Sequence, residues 1–295
     1  MLRKVIGLCR YPIRVWEQIA TASTAHLRHS RVAYHRAMGK TNPPPVEACK
    51  LCGTVTTLKW SHIMPAWSYR RASETGSNSR LVDIRDGVAM YRSNQYAEYM
   101  LGGECEQLFG DLETYTSKVT LLASGEFPAL AEAKKSAQVG RADVSALDLN
   151  KLVRFAVSVV WRAHVSREFA EVSLGPYAKG LADYLRDERA TLPDSARVLL
   201  QLLAPSADAL PIDRILIPPT VARKAGNHAH NFVLVGMWFQ VMVGQSFPPR
   251  EVLPCLERDR ACVITDGELL TRIVSETRAA ATPKGTFARR LFRAP

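Results

Sequence analysis

Cys49-Lys-Leu-Cys52-Gly53 sets two thiols three residues apart with a glycine behind them. Two thiolates at that spacing on a tight turn chelate one Zn²⁺, and the glycine permits the turn. Ten residues on stands His62, inside Ser61-His-Ile-Met-Pro65. Further along comes Cys105-Glu106, then Phe109-Gly-Asp-Leu-Glu113, in a segment that reads as helix. Glu106 and Glu113 are seven apart and therefore share a helical face. The three thiols Cys49, Cys52 and Cys105 suit a structural zinc site, the alternative being buried cysteines without metal.

Two other places carry groups of interest. His228-Ala-His230 lies ahead of an apolar run, and two histidines at i and i+2 on a strand face the same way. They either share a metal or are polar residues leading into a buried strand, and the second reading is preferred. Trp161-Arg162 either contacts nucleic acid or supplies a packed indole and a buried ion pair, again with the second preferred. His164 is read as packing or hydrogen bonding.

These residues need a scaffold, and the composition supplies one. The chain has 295 residues, 47% hydrophobic and 23% charged, which excludes disordered, collagen-like and small disulfide-stapled classes. No apolar run reaches the ~18–20 residues that span a bilayer. Six cysteines at this length do not make a disulfide framework and fit a reducing, cytoplasmic compartment.

The net charge of +11 is unevenly placed. Residues 1–45 hold eight Lys/Arg and one acid, residues 277–295 hold five and none, and the body is close to neutral. Basic ends suit a polyanion, either nucleic acid or an anionic membrane surface, or serve as solvated tails. The first residues mix basic and apolar side chains at helical spacing, interrupted by Pro12, which fits a helical arm, a surface-bound amphipathic helix or a transit peptide.

The pattern predicts an α+β protein: a small metal finger embedded in a larger scaffold of helices and strands. Its expected divisions are a basic arm over 1–45, a finger over 46–120, a mixed scaffold over 121–276 and a basic tail over 277–295. Asn42-Pro-Pro-Pro-Val marks the first break, and Ser73 to Arg80 reads as a polar loop. Helices are expected over 128–138, 146–172, 178–188 and 195–204. Phe232–Val243 reads as a strand pair or one long buried strand, and Ala261–Thr265 as a short strand.

The ordered motifs resemble the treble-clef zinc fold of HNH-type endonucleases, and more closely a group of bacterial HNH-endonuclease-like proteins. That group runs Cys-x-Leu-Cys-Gly, Glu-His-Ile-Ile-Pro, Cys-x-x-Cys-Glu and Tyr-Glu-x-Tyr, then a helix containing Trp-Arg-Ala-Ser-Val-Ser. Here the counterparts are Cys49 to Gly53, Ser61 to Pro65, Gly102-Gly-Glu-Cys105-Glu106, Leu112-Glu-Thr-Tyr115, and Trp161-Arg-Ala-His-Val-Ser166. The resemblance is clearest over 49–118 and 152–177.

It implies a metal-dependent endonuclease acting on DNA, with a setting in defence against foreign DNA. In that role the cysteines hold structural Zn²⁺ and His62 takes a proton from water, being neutral near pH 7 with an ordinary pKa of about 6.5. Glu106 and Glu113, with Glu98 as a lesser candidate, offer oxygens to a catalytic Mg²⁺ or Mn²⁺. Arg70 and Arg71 hold the DNA backbone.

Two departures stand out. Gly102 occupies the place of the first cysteine of the second pair, leaving three thiolates where a closed zinc site wants four ligands. Ser61 precedes the histidine where many such enzymes carry a stronger metal ligand. Both point to the rival reading: a catalytically degenerate zinc finger that binds nucleic acid or a protein partner. Under that reading His62 is a fourth zinc ligand or a core imidazole. Glu106 is then a helix N-terminal acid and Glu113 a solvated one.

Overall fold

The computed structural model describes residues 43–73, 81–85, 88–92, 95–138, 141–205, 212–224, 226–247 and 254–284. Nearly all of the basic arm, the polar loop over 74–80 and residues 285–295 lie outside them.

The chain is mixed α and β. The first half holds short strands, β1 (Val46–Ala48), β2 (Val55–Thr57), β3 (Lys59–His62), β4 (Leu81–Arg85), β5 (Val88–Arg92) and β6 (Ala97–Leu101). With them go helices α1 (Ala66–Ser73) and α2 (Gly103–Val119). The strands pair locally, β1 with β2, β4 with β5 and β3 with β6, all antiparallel. Each hairpin is too small to bury a core alone.

The second half supplies the core. After α3 (Pro128–Lys135) and β7 (Ala142–Asp143) come α4 (Leu149–Val165) and α5 (Ala178–Arg186). Then follow β8 (Ala196–Ala204), β9 (Leu216–Lys224), β10 (Asn227–Leu234) and β11 (Met237–Val243). The last elements are α6 (Leu256–Asp259), β12 (Ala261–Asp266), α7 (Gly267–Ala280) and β13 (Thr282–Lys284). Six strands form one sheet in the order β7-β12-β8-β11-β10-β9, antiparallel except where β12 meets β8.

One expected helix is a strand. A helix is expected over 195–204, but Ala196–Ala204 is a central strand buried along eight of its nine positions. A strand covered on both faces loses the period of two, and here the two polar positions, Arg197 and Gln201, stand four apart, a helical spacing. By contrast Phe232–Val243 contains the expected strand pair. β10 and β11 join through Val235-Gly236, both at positive φ (43° and 83°), the sense of turn that matches strand twist. Positive φ is costly for a β-branched residue, and the turn is fixed from outside. The Val235 carbonyl accepts from Leu121 N and the Gly236 carbonyl from Leu203 N, and a β-carbon at Gly236 would lie 2.9 Å from the Phe127 ring.

Helix α4 lies between the six-stranded sheet and helix α2 of the first half. Thirteen of its residues are buried, so it is apolar nearly all round, as a helix covered on two sides must be. Toward the sheet Phe155 packs edge-on against Phe232 and Phe239; on the other side Trp161 meets Phe109 of α2. The helix is shorter than the expected 146–172 because both ends are capped. Asp148 accepts from Lys151 N at 3.1 Å, and Ser166 ends the helix and starts a 3-10 turn at Arg167–Phe169. Residues 128–138 and 178–188 are helical over Pro128–Lys135 and Ala178–Arg186. One hydrophobic cluster runs from Cys49 to Leu270. The chain returns to its first half at the end: β13 pairs parallel with β5.

Candidate metal centre

The Cys49–Cys52 turn lies between β1 and β2. Gly53 N donates to the Cys49 carbonyl at 2.8 Å and Cys49 N to the Thr54 carbonyl at 2.9 Å, while Gly53 sits at φ 78°. These bonds fold the loop so that both sulfurs point the same way. Cys105 arrives from a distant segment, in the first turn of α2, which starts directly after β6. Lys50 N donates to the Met100 carbonyl at 2.9 Å and ties the turn to the end of β6.

The three Sγ atoms lie within 4.8 Å of one another, and this is the only group of three or more potential ligand residues so placed among the described residues. It can hold a metal ion. Cys49 is buried, whereas Cys52 and Cys105 are partly exposed. As free thiols they differ. Hydrogen bonds from the Thr54 hydroxyl and its backbone N–H pull Cys52 down to about 7. Burial, then electrostatic repulsion from Cys49, pushes Cys105 up to about 12. The Cys52 thiolate forms readily, whereas burial and then repulsion from Cys49 oppose that of Cys105, a state a cation would relieve.

Beside the cysteines the expected catalytic carboxylates are engaged. The buried Ser61 hydroxyl donates to Glu106 Oε2. Arg162, 1% exposed on α4, donates through Nη1 to Glu113 Oε1 at 2.6 Å and to the His62 carbonyl at 2.6 Å. Its guanidinium also stands 5.3 Å from the Phe109 ring. The buried ion pair expected of Arg162 is therefore present, and Trp161 packs in the core. Glu98 on β6 accepts from the Ser166 hydroxyl and from the N–H groups of Arg167 and Glu168, so it caps the 3-10 turn. His62 ends β3 and is partly exposed; its imidazole does not join Glu106 and Glu113 in a ligand group of the kind the cysteines make.

Arg70 and Arg71 occupy the last turn of α1, Arg70 exposed and Arg71 half-buried. His228 and His230 lie on β10 with ring centroids 6.5 Å apart. His230 is fully buried, and neither ring nitrogen has a hydrogen-bond partner among the described residues. Burial, reinforced by His228 and His164, drives its pKa down to about 3. The two form no metal group with a third residue among those described. His164 accepts weakly from Leu174 N and is held below its ordinary pKa by burial.

Thr54 and the Arg162–His62 link went unread in the sequence. Thr54 follows the Cys-Gly pair directly, a local signal that could have been used. Arg162 and His62 are a hundred residues apart, and nothing local couples them. Among the described residues no helix is long and apolar enough to cross a membrane. No family model, curated protein or solved structure matches the chain.

Proposed function

We propose that the protein is a zinc-binding finger module of HNH-like build that binds nucleic acid without cutting it. The zinc assignment rests on donor chemistry. Zn–S bonds of about 2.3 Å in a tetrahedron put sulfurs about 3.8 Å apart, within the spread of the three Sγ atoms. A knuckle, an antiparallel strand pair (β3 with β6) and a helix bearing a cysteine in its first turn supports the treble-clef reading.

The observation that carries the non-catalytic reading is the engagement of the acids. Glu106 is held by Ser61, Glu113 by Arg162 and Glu98 by a helix turn. A divalent ion at His62 would have to draw on carboxylates already oriented by other groups, Glu106 through Oε2 and Glu113 through Oε1. Arg162 in addition places a cation beside Glu113, which opposes a second cation there. Backbone phosphates would be held by exposed arginines such as Arg70 and by the basic ends of the chain.

The nuclease reading keeps one support. Ser61, Glu106, Glu113 and the His62 carbonyl form adjoining links at the end of β3, where a hydrolytic site of this build belongs. Supercoiled plasmid with Mg²⁺ or Mn²⁺ separates the two. The expected result is no nicking by wild type or His62→Ala, with DNA binding that weakens steeply as salt rises. Metal-dependent nicking lost in His62→Ala would establish the nuclease instead.

A further inference from the structure

The fourth corner of the cysteine cluster bears no side chain from position 102. A β-carbon built on Gly102 would lie 3.9 Å from Cys49 Cβ, beside the first sulfur's own carbon. The same β-carbon would lie 2.7 Å from Thr56 Cγ2, so a methyl group fills the space a side chain would need. A methyl cannot ligate. Glu104, next along α2, is exposed and outside the group of converging ligand atoms. Two of the three cysteines, Cys52 and Cys105, are open to solvent on one side.

Resting on the zinc reading above, we propose that this is a three-thiolate site whose fourth position is open to a small exchangeable donor from solution. Zn²⁺ at a structural site takes four ligands, and an open position is the mark of sites that exchange a ligand. Position 102 therefore leaves that place without a protein ligand, since Gly102 supplies none and the Thr56 methyl stands where its side chain would run, and access from solution is on the side of Cys52 and Cys105. The site then accepts a small neutral nitrogen donor such as imidazole, which a closed four-cysteine finger excludes. Its metal is also reached by chelators more readily than the metal of a closed finger.

Cobalt substitution tests this in the full-length protein. Co²⁺ bound by the wild type should show sulfur-to-metal charge transfer, and added imidazole should shift its visible bands. In G102C/T56S, which adds the thiol and removes the methyl, the charge-transfer intensity should rise in a ratio of about four to three, following the thiolate count. The response to imidazole should disappear. X-ray absorption on zinc-loaded wild type gives the same answer without the variant: three sulfurs at about 2.3 Å and one lighter atom at about 2.0 Å.

Wild type that binds Co²⁺ yet ignores imidazole, with four sulfurs or an unexchangeable nitrogen, would overturn the open site. It would point to a protein ligand outside the described residues, Cys9 among them. Absence of thiolate-bound Co²⁺ altogether would overturn the zinc reading itself.

Discussion

The cysteine cluster and the histidine pair present the same kind of signal in sequence, ligand-type residues at ligand spacing, and end in opposite states. Cys49 and Cys52 come from one turn, and α2 delivers Cys105 to them, with all three sulfurs inside 4.8 Å. His228 and His230 share a strand face but meet no third ligand among the described residues, and β10 carries His230 into the core. A site needs convergence from separate elements. Residue type and local spacing fix only one edge of it.

The contrast can be broken at several points, beginning with the largest expected effect. Cys105→Ser should abolish stoichiometric zinc binding and destabilise the finger, because metal binding contributes folding free energy directly. His228→Ala should leave metal content unchanged. Elemental analysis of both variants decides between them.

Arg162→Met should cost about 3–5 kcal/mol, since it strands Glu113 and leaves the His62 carbonyl without its donor. Glu113→Gln should cost less, because Arg162 keeps its bond to that carbonyl. Urea midpoints at unchanged slope give both values.

Acid should act through the histidine strand. The unfolded His230 titrates at its ordinary value of 6.5 and the folded one at about 3, so the unfolded chain binds the extra proton between them. This stability contribution is complete above pH 6.5 and falls by about 1.4 kcal/mol per unit as pH drops toward 3. His230→Leu should remove that slope. At pH 7 it should change stability by no more than about 1 kcal/mol, because neither ring nitrogen has a hydrogen-bond partner among the described residues. Smaller than that acid effect, Glu98→Gln should cost about 1 kcal/mol by weakening the cap on the 167–169 turn, with metal content untouched.

What could be read ahead of the structure follows the range of the interactions. The Cys49–Gly53 turn, the β10–β11 hairpin and the caps of α4 are local and leave marks in a few consecutive residues. The convergence of Cys105 on the knuckle was legible only because the motif order resembles a known pattern; no local rule relates positions 52 and 105. β8 gives no strand signal, because it is buried on both faces and its two polar residues, Arg197 and Gln201, are four apart. Ser61 with Glu106 and Arg162 with His62 were invisible, being contacts between elements 45 and 100 residues apart. Those contacts give Glu106 and Glu113 partners that no local pattern announces, so the surroundings of the candidate site were the part least accessible from sequence.

Metal content of the purified protein, measured beside its unfolding midpoint with and without EDTA, tests the metal centre most directly. The account predicts about one zinc per chain, lost in Cys52→Ser and Cys105→Ser, and a midpoint that EDTA lowers. A wild type that is free of metal, takes up none when zinc is supplied and unfolds identically in EDTA would contradict it.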